Sequence, residues 1–203
     1  MGKRIFDIIV SLALIILLTP VFIIISLIIR FSSLRGVIYG QERIKKNFEP
    51  FTCYKFQTMA AEDDSTKNDG ITSNEKMERI TNLGNFLRKY RLDELPQLFN
   101  VLKGDMSMVG PRPQIAKYTK IYPEKYKKIL SVKPGMTGFS TIFFYDREEK
   151  MLADAEDGEK EYIENILPKK FRYNLFYIDK GNFIFDLMIL WWTAKKLMGF
   201  PIR

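Results

Sequence analysis

The sequence predicts a mostly helical α+β protein: an N-terminal membrane helix over residues 1–30 that enters the bilayer, breaks and returns, and a small cytoplasmic α/β domain over 31–203 with amphipathic helices at the membrane surface. Three observations carry this. Residues Ile8 to Ile29 form one uncharged apolar run, two short β-branched and aromatic runs follow it, and helix-period apolar patterns punctuated by proline and glycine fill most of the rest.

The chain has 203 residues and an apolar fraction of 46%, ordinary for a folded domain with a sizeable core. It contains no histidine, so the usual proton shuttle and the commonest metal ligand are excluded. The single cysteine, Cys53, excludes an internal disulfide and a paired-cysteine zinc site; it reads as a small residue half-buried in a strand. A net charge of +8 leaves three partners open: nucleic acid, anionic lipid or a phosphorylated substrate.

The apolar run, about 33 Å as a continuous helix, is long enough to cross a bilayer core. It exceeds the apolar region of a signal peptide and lacks a small-residue cleavage site. Lys3 and Arg4 precede it, and Arg30, Arg35, Arg43, Lys45 and Lys46 follow, so the positive-inside bias draws both ends to the cytoplasm. Thr19-Pro20 lies at its middle, where proline removes a backbone hydrogen bond and the threonine hydroxyl can take up a carbonyl. A helix that breaks there and returns satisfies both ends; an ordinary spanning helix with a tolerated kink satisfies the length equally well.

"GVIYGQERI" and "FEPFTCYKFQTM" predict two strands joined by a turn. The polar, acidic stretch "AAEDDSTKNDGITSNEKMER" reads as an exposed loop. A helix is expected near Asn85 to Tyr90. A second is expected from about Asp93 to Leu102, with Leu95, Leu98, Phe99 and Leu102 on one face. Pro96 belongs in a first helical turn, which pins that start near Leu92 to Glu94. Asp93 and Glu94 then meet unpaired N–H groups and the positive end of a helix dipole. The same place suits a phosphate, with Arg88, Lys89 and Arg91 near in sequence. Taken alone, an acidic pair in a first turn is an ordinary cap. In "GDMSMVGPRP" two glycines and two prolines fix a tight backbone around Arg112, a planar cation suited to a diphosphate, although a rigid loop with a surface arginine has the same pattern.

Together these segments resemble the bacterial sugar transferases known as monotopic phosphoglycosyl transferases, which move a sugar-1-phosphate from a nucleotide diphosphosugar to a polyprenyl phosphate. The resemblance runs over nearly the whole chain, through "KRIFD", the proline-centred apolar run, "YKFQTM", "LDELPQLFNVLKGDMSMVGPRP" and "KPGMTG". It implies a re-entrant membrane helix, a location on the cytoplasmic face of the bacterial inner membrane, Asp93 as nucleophile and Glu94 as partner of Mg²⁺. It also implies Arg88 and Arg112 as phosphate-binding groups, with Lys55 of "YKFQTM" a further substrate-binding candidate. The implied chemistry fits a chain without histidine: a carboxylate is already an anion at neutral pH, and the acceptor phosphate is too, so neither step needs a general base.

Departures from the family pattern fall mainly on the donor side. Lys45 and Phe48 stand where glycines are usual, Gln57 where a basic residue is usual, Phe139 for a tryptophan and Asn174 for an aspartate. "TIFFYDREE" replaces an Asn-Gly-Arg stretch, which leaves Arg147 as the candidate for its arginine. The C-terminal "FIFDLMILWWTAKKLMGF" predicts an in-plane interfacial helix anchored by Trp191 and Trp192, with Lys195 and Lys196 reaching to water, in preference to a buried core helix. A reading of another class is a non-catalytic, membrane-anchored protein whose basic face binds anionic lipid or nucleic acid. Basic residues interleaved with acids beside a membrane segment speak against nucleic acid.

Overall fold

The computed structural model describes residues 2–32, 36–59 and 80–201. The expected acidic loop over 60–79, and Arg35, lie outside the described residues. The chain divides into two compact units, residues 1–42 with 52–104, and residues 43–51 with 105–203. The N-terminal helix belongs to the first unit.

In the first unit α1 (Gly2–Arg30) is one helix, with Pro20 inside it. The chain does not separate into two helices at Thr19-Pro20. Proline strips the Ile16 carbonyl of its N–H partner, yet the Thr19 hydroxyl donates to the carbonyl of Ile15 at 2.8 Å, one residue earlier. Both ends of α1 pack on its own unit. Near the start, Asp7 and Ser11 are buried, and Arg4 donates to the carbonyls of Val101 and Leu102 at 2.6 and 2.8 Å. Near the end, Ile25 and Ile29 join Phe56 and Leu87 in a core cluster, flanked by Phe22, Leu83, Leu92 and Leu95. The stretch between exposes Leu12, Ile16 and Leu17.

Strands β1 (Ile38–Ile44) and β2 (Pro50–Phe56) pair as expected across a turn over Lys46–Phe48. Asn47 and Phe48 both take positive φ, 60° and 61°. Phe48, in place of a usual glycine, thus keeps a backbone region that glycine occupies at least cost. Cys53 is buried in β2.

Helix α2 (Asn82–Lys89) starts three residues earlier than expected because the Thr81 hydroxyl caps it, accepting from the N–H of Gly84. The helix expected from Asp93 is corrected: Leu92–Glu94 form a separate 3₁₀ turn, and α3 spans only Gln97–Lys103 with Pro96 at its N-cap. A proline ring clashes with the carbonyl four residues back, here Leu92, so an α-helix cannot run through from Asp93. The chain closes instead on tighter bonds such as Leu95 N–H to Leu92 O at 3.2 Å. The buried Asn100 side chain ties α3 to β2, donating to Thr52 O and accepting from Tyr54 N–H.

The second unit holds a strand pair that the sequence pattern does not announce, β3 (Ser107–Val109) parallel to β4 (Gly135–Thr137), in register Ser107 to Gly135 and Val109 to Thr137. A Cβ on Gly135 would sit 2.0 Å from the Gly110 nitrogen, so only glycine permits this approach. Helices α4 (Ala116–Ile121) and α5 (Pro123–Ile129) lie between these strands in sequence. Next come α6 (Phe139–Phe143), α7 (Tyr145–Ala153), the short α8 (Gly158–Glu161), a π turn (Tyr162–Ile166), α9 (Leu167–Lys180) and α10 (Phe183–Leu197).

Candidate active site

In the first unit the end of β2 and helix α2 are joined through one residue, Thr58. Its carbonyl accepts from Thr81 N–H at 3.2 Å, and its hydroxyl accepts from Arg88 Nε at 3.0 Å. Gly84 makes this possible, because a Cβ there would meet the Thr58 oxygen at 2.1 Å. Arg88, on the last turn of α2, is therefore aimed along the end of β2 by local packing.

Arg91 follows in the left-handed region, φ 55° and ψ 23°, and this reverses the chain so that Asp93 and Glu94 turn back into the unit. Both carboxylates are buried, with side chains 10% and 8% exposed. Lys55 and Arg91 are among the cations that face them. Lys55 Nζ, carried on β2, lies 3.1 Å from Glu94 Oε1 and 3.9 Å from Asp93 Oδ2, and Arg91 Nη1 lies 3.6 Å from Glu94 Oε2. Buried carboxylates persist as anions only when paired, and Lys55 and Arg91 supply such pairing here.

Arg91 turns onto Glu94 in an ion pair, and Lys89 lies 5.6 Å from the centre of the Tyr90 ring. Lys55 comes from a distant strand and reaches both carboxylates.

A hard cation such as Mg²⁺ takes one or two protein carboxylates and completes its shell with water and substrate phosphate oxygens. Asp93 and Glu94 are a donor set of that kind, and among the described residues no larger cluster of metal-ligating side chains occurs. Glu94 fits as the principal ligand, in the place where Lys55 and Arg91 now meet its charge.

Arg112 and Arg147 belong to the second unit. Arg112 follows β3 in the glycine- and proline-bounded loop. Near it in charge is Lys170 of α9, a residue with no sequence signal of its own. Lys170 is buried and bonded to both oxygens of Glu148 at 2.9 and 3.0 Å, and it lies 3.3 Å from the Tyr162 hydroxyl, which in turn accepts from Gln114. Burial works to lower its pKa, while Tyr162 and Glu148 raise it above the usual lysine value, so Lys170 stays a cation. Lys45, the other departure from glycine, bonds Asp105 at 2.8 Å, and this bond raises its pKa.

Arg147, on α7, lines an open groove of about 460 Å³ with Phe139, Phe144, Lys169, Arg172, Tyr173 and Phe176. Helix α10 buries Ile189 and Asp186 and exposes Ile184, Trp191 and Leu197, so it is not a buried core helix. Lys196 does not extend to water as expected. It bonds the Ile142 carbonyl at 3.0 Å and Asp146 at 2.9 Å.

The profile of the bacterial sugar transferase family matches residues 1–199. An uncharacterized sugar transferase of Bacillus subtilis, EpsL, is 35% identical over 97% of this chain and 87% of its own. The UDP-glucose:undecaprenyl-phosphate glucose-1-phosphate transferase of Klebsiella pneumoniae is 35% identical over 96% of this chain. The undecaprenyl-phosphate galactose phosphotransferase of Salmonella typhimurium is 40% identical over 97%. Of these last two proteins the chain spans only about two fifths, 39% and 40% of their length.

Proposed function

We propose that this chain, which belongs to the bacterial sugar transferase family and is a sugar phosphotransferase, moves a sugar-1-phosphate from a uridine diphosphosugar to undecaprenyl phosphate through a phosphosugar held on Asp93. The observation that carries this reading is the pair of adjacent carboxylates buried at the 3₁₀ turn, with Lys55 within 4 Å of both. Arg91 also meets Glu94, so the turn holds two anions side by side, one to attack phosphorus and one to hold a cation. An oxygen of Asp93 attacks the sugar-linked phosphorus, the bond to the bridging oxygen breaks, and uridine monophosphate leaves with that electron pair. An oxygen of the lipid phosphate then attacks the same phosphorus and expels the carboxylate. No proton changes hands, in keeping with a chain that has no histidine. Mg²⁺ at Glu94 would offset the charge of the diphosphate. Arg88 and Arg112 serve as phosphate-binding groups and Lys55 positions the carboxylates. The product, a sugar diphospholipid, starts assembly of a bacterial glycoconjugate.

The membrane reading is part of the proposal. α1 is long and apolar enough to cross a bilayer, with mean hydropathy 3.1. As a straight rod it would hold Arg4 and Ile29 about 37 Å apart. Yet Arg4 reaches the end of α3 while Ile29 packs on Phe56, and α3 and β2 are themselves joined at Asn100 and Tyr54. A bend at Pro20 brings the ends together and leaves the exposed middle of α1 as the part that enters lipid. We place both ends, and the catalytic unit with them, on the cytoplasmic side. The purely lipid- or nucleic-acid-binding reading has no observation in its favour beside the family match.

The test is donor alone, without lipid acceptor. Purified protein with Mg²⁺ and a panel of uridine diphosphosugars should release one uridine monophosphate per chain. The mass of the intact protein should then rise by one phosphosugar, mapped to the peptide containing Asp93, and Asp93→Asn should abolish both. Product formed only with both substrates present, without an adduct, refutes the covalent route.

A further inference from the structure

On α9, Lys169, Arg172, Tyr173 and Phe176 recur at i, i+3, i+4 and i+7, which places two cations and two aromatic rings on one stripe. Facing them across the groove are Arg147 of α7, Phe144 and Phe139 of α6. Among the described residues no carboxylate pairs with Arg147, Lys169 or Arg172; the one side-chain bond among the three is a weak one from Lys169 to the Met151 sulfur, at 3.6 Å. Three exposed cations without acidic partners around one cavity call for an anion. The aromatic floor continues directly into α10, because Phe139 and Phe176 both contact Phe185, at 5.5 and 6.2 Å between ring centres, and Phe143 contacts Trp192 at 5.3 Å. Beyond those rings α10 exposes Ile184, Leu187, Met188 and Trp191.

We propose that this groove seats the phosphate of a lipid phosphomonoester, with its apolar chain laid along the exposed face of α10. This rests on the transferase reading above, in which such a lipid is the acceptor. A phosphomonoester carries between one and two negative charges at neutral pH, where a phospholipid diester carries one, so three cations match the monoester better. A nucleotide fits less well. Phe139 and Phe176 stack on each other at 5.2 Å and 26°, so their faces are spent within the protein rather than left open for a base.

The two tryptophans of the chain, Trp191 and Trp192, both lie on α10, so intrinsic fluorescence reports from the proposed seat. The full chain in phosphatidylcholine nanodiscs is titrated with a polyprenyl monophosphate, with no donor present. A saturable change is expected. Arg147→Gln, Lys169→Gln and Arg172→Gln combined should weaken it at least about tenfold, and Arg172→Lys alone should nearly preserve it, since charge-assisted contacts to phosphate are what is lost. Unchanged affinity in the triple variant overturns the proposal, as does an equal response to phosphatidylglycerol or displacement of the lipid by uridine diphosphate. Unchanged affinity together with an intact Asp93 adduct would remove the groove while leaving the transferase reading standing.

Discussion

Replacing Lys55 by methionine keeps most of the side chain's volume and removes a cation that lies within 4 Å of both carboxylates. At an effective dielectric of 20, contacts of 3.1 and 3.9 Å correspond to gross Coulomb attractions of about 5 and 4 kcal/mol. Most of this is cancelled by the desolvation of all three groups, and Lys55 is still 23% exposed. Breaking a fully buried pair costs about 3–5 kcal/mol, and the partial exposure here brings the expected loss to about 2 kcal/mol. For a domain of this size that lowers Tm by about 4–8 °C. The assay is thermal unfolding in detergent, run beside uridine monophosphate release from the donor. Release should fall about a hundredfold, because a misplaced nucleophile loses its near-attack geometry, and Lys55→Arg should recover much of the stability. A Tm within about 1 °C of the parent, with an unaltered rate of release, would refute the idea that Lys55 holds the pair.

Two further outcomes follow from the first unit. Gly84→Ala introduces a Cβ 2.1 Å from the Thr58 carbonyl, so α2 must shift off β2; a loss of about 2–3 kcal/mol is expected, with release of uridine monophosphate falling as Arg88 leaves Thr58. In intact cells, single cysteines at Gly2 and Gly36, where an added side chain meets no neighbour, should both resist an impermeant thiol reagent from outside the inner membrane. The native Cys53 is buried and silent. Labelling of Gly2→Cys with Gly36→Cys protected would establish a crossing instead of a return.

What the amino-acid order determined by itself is whatever depends on short range. The uncharged run of α1, the β-branched and aromatic runs that build β1 and β2, and the presence of α2 are each set by side-chain pattern and local backbone preference. Pro96 was equally legible as a marker near a helix start, and the carboxylate pair beside it as a site. Its exact effect was not, because the residues before Pro96 settle into a separate 3₁₀ turn entered through Arg91 in the left-handed region, which side-chain pattern does not announce. The pairing of β3 with β4 depends on glycines 25 residues apart in sequence that touch only when the chain has folded. Lys55 has the same chemical type as Lys89, so residue identity could not say which of the two meets the carboxylates. Charge pairing acts over a few ångströms in space and ignores distance along the chain, and for that reason the partners of Asp93 and Glu94, the burial of Lys170 and the cations around Arg147 were decided by the tertiary structure alone.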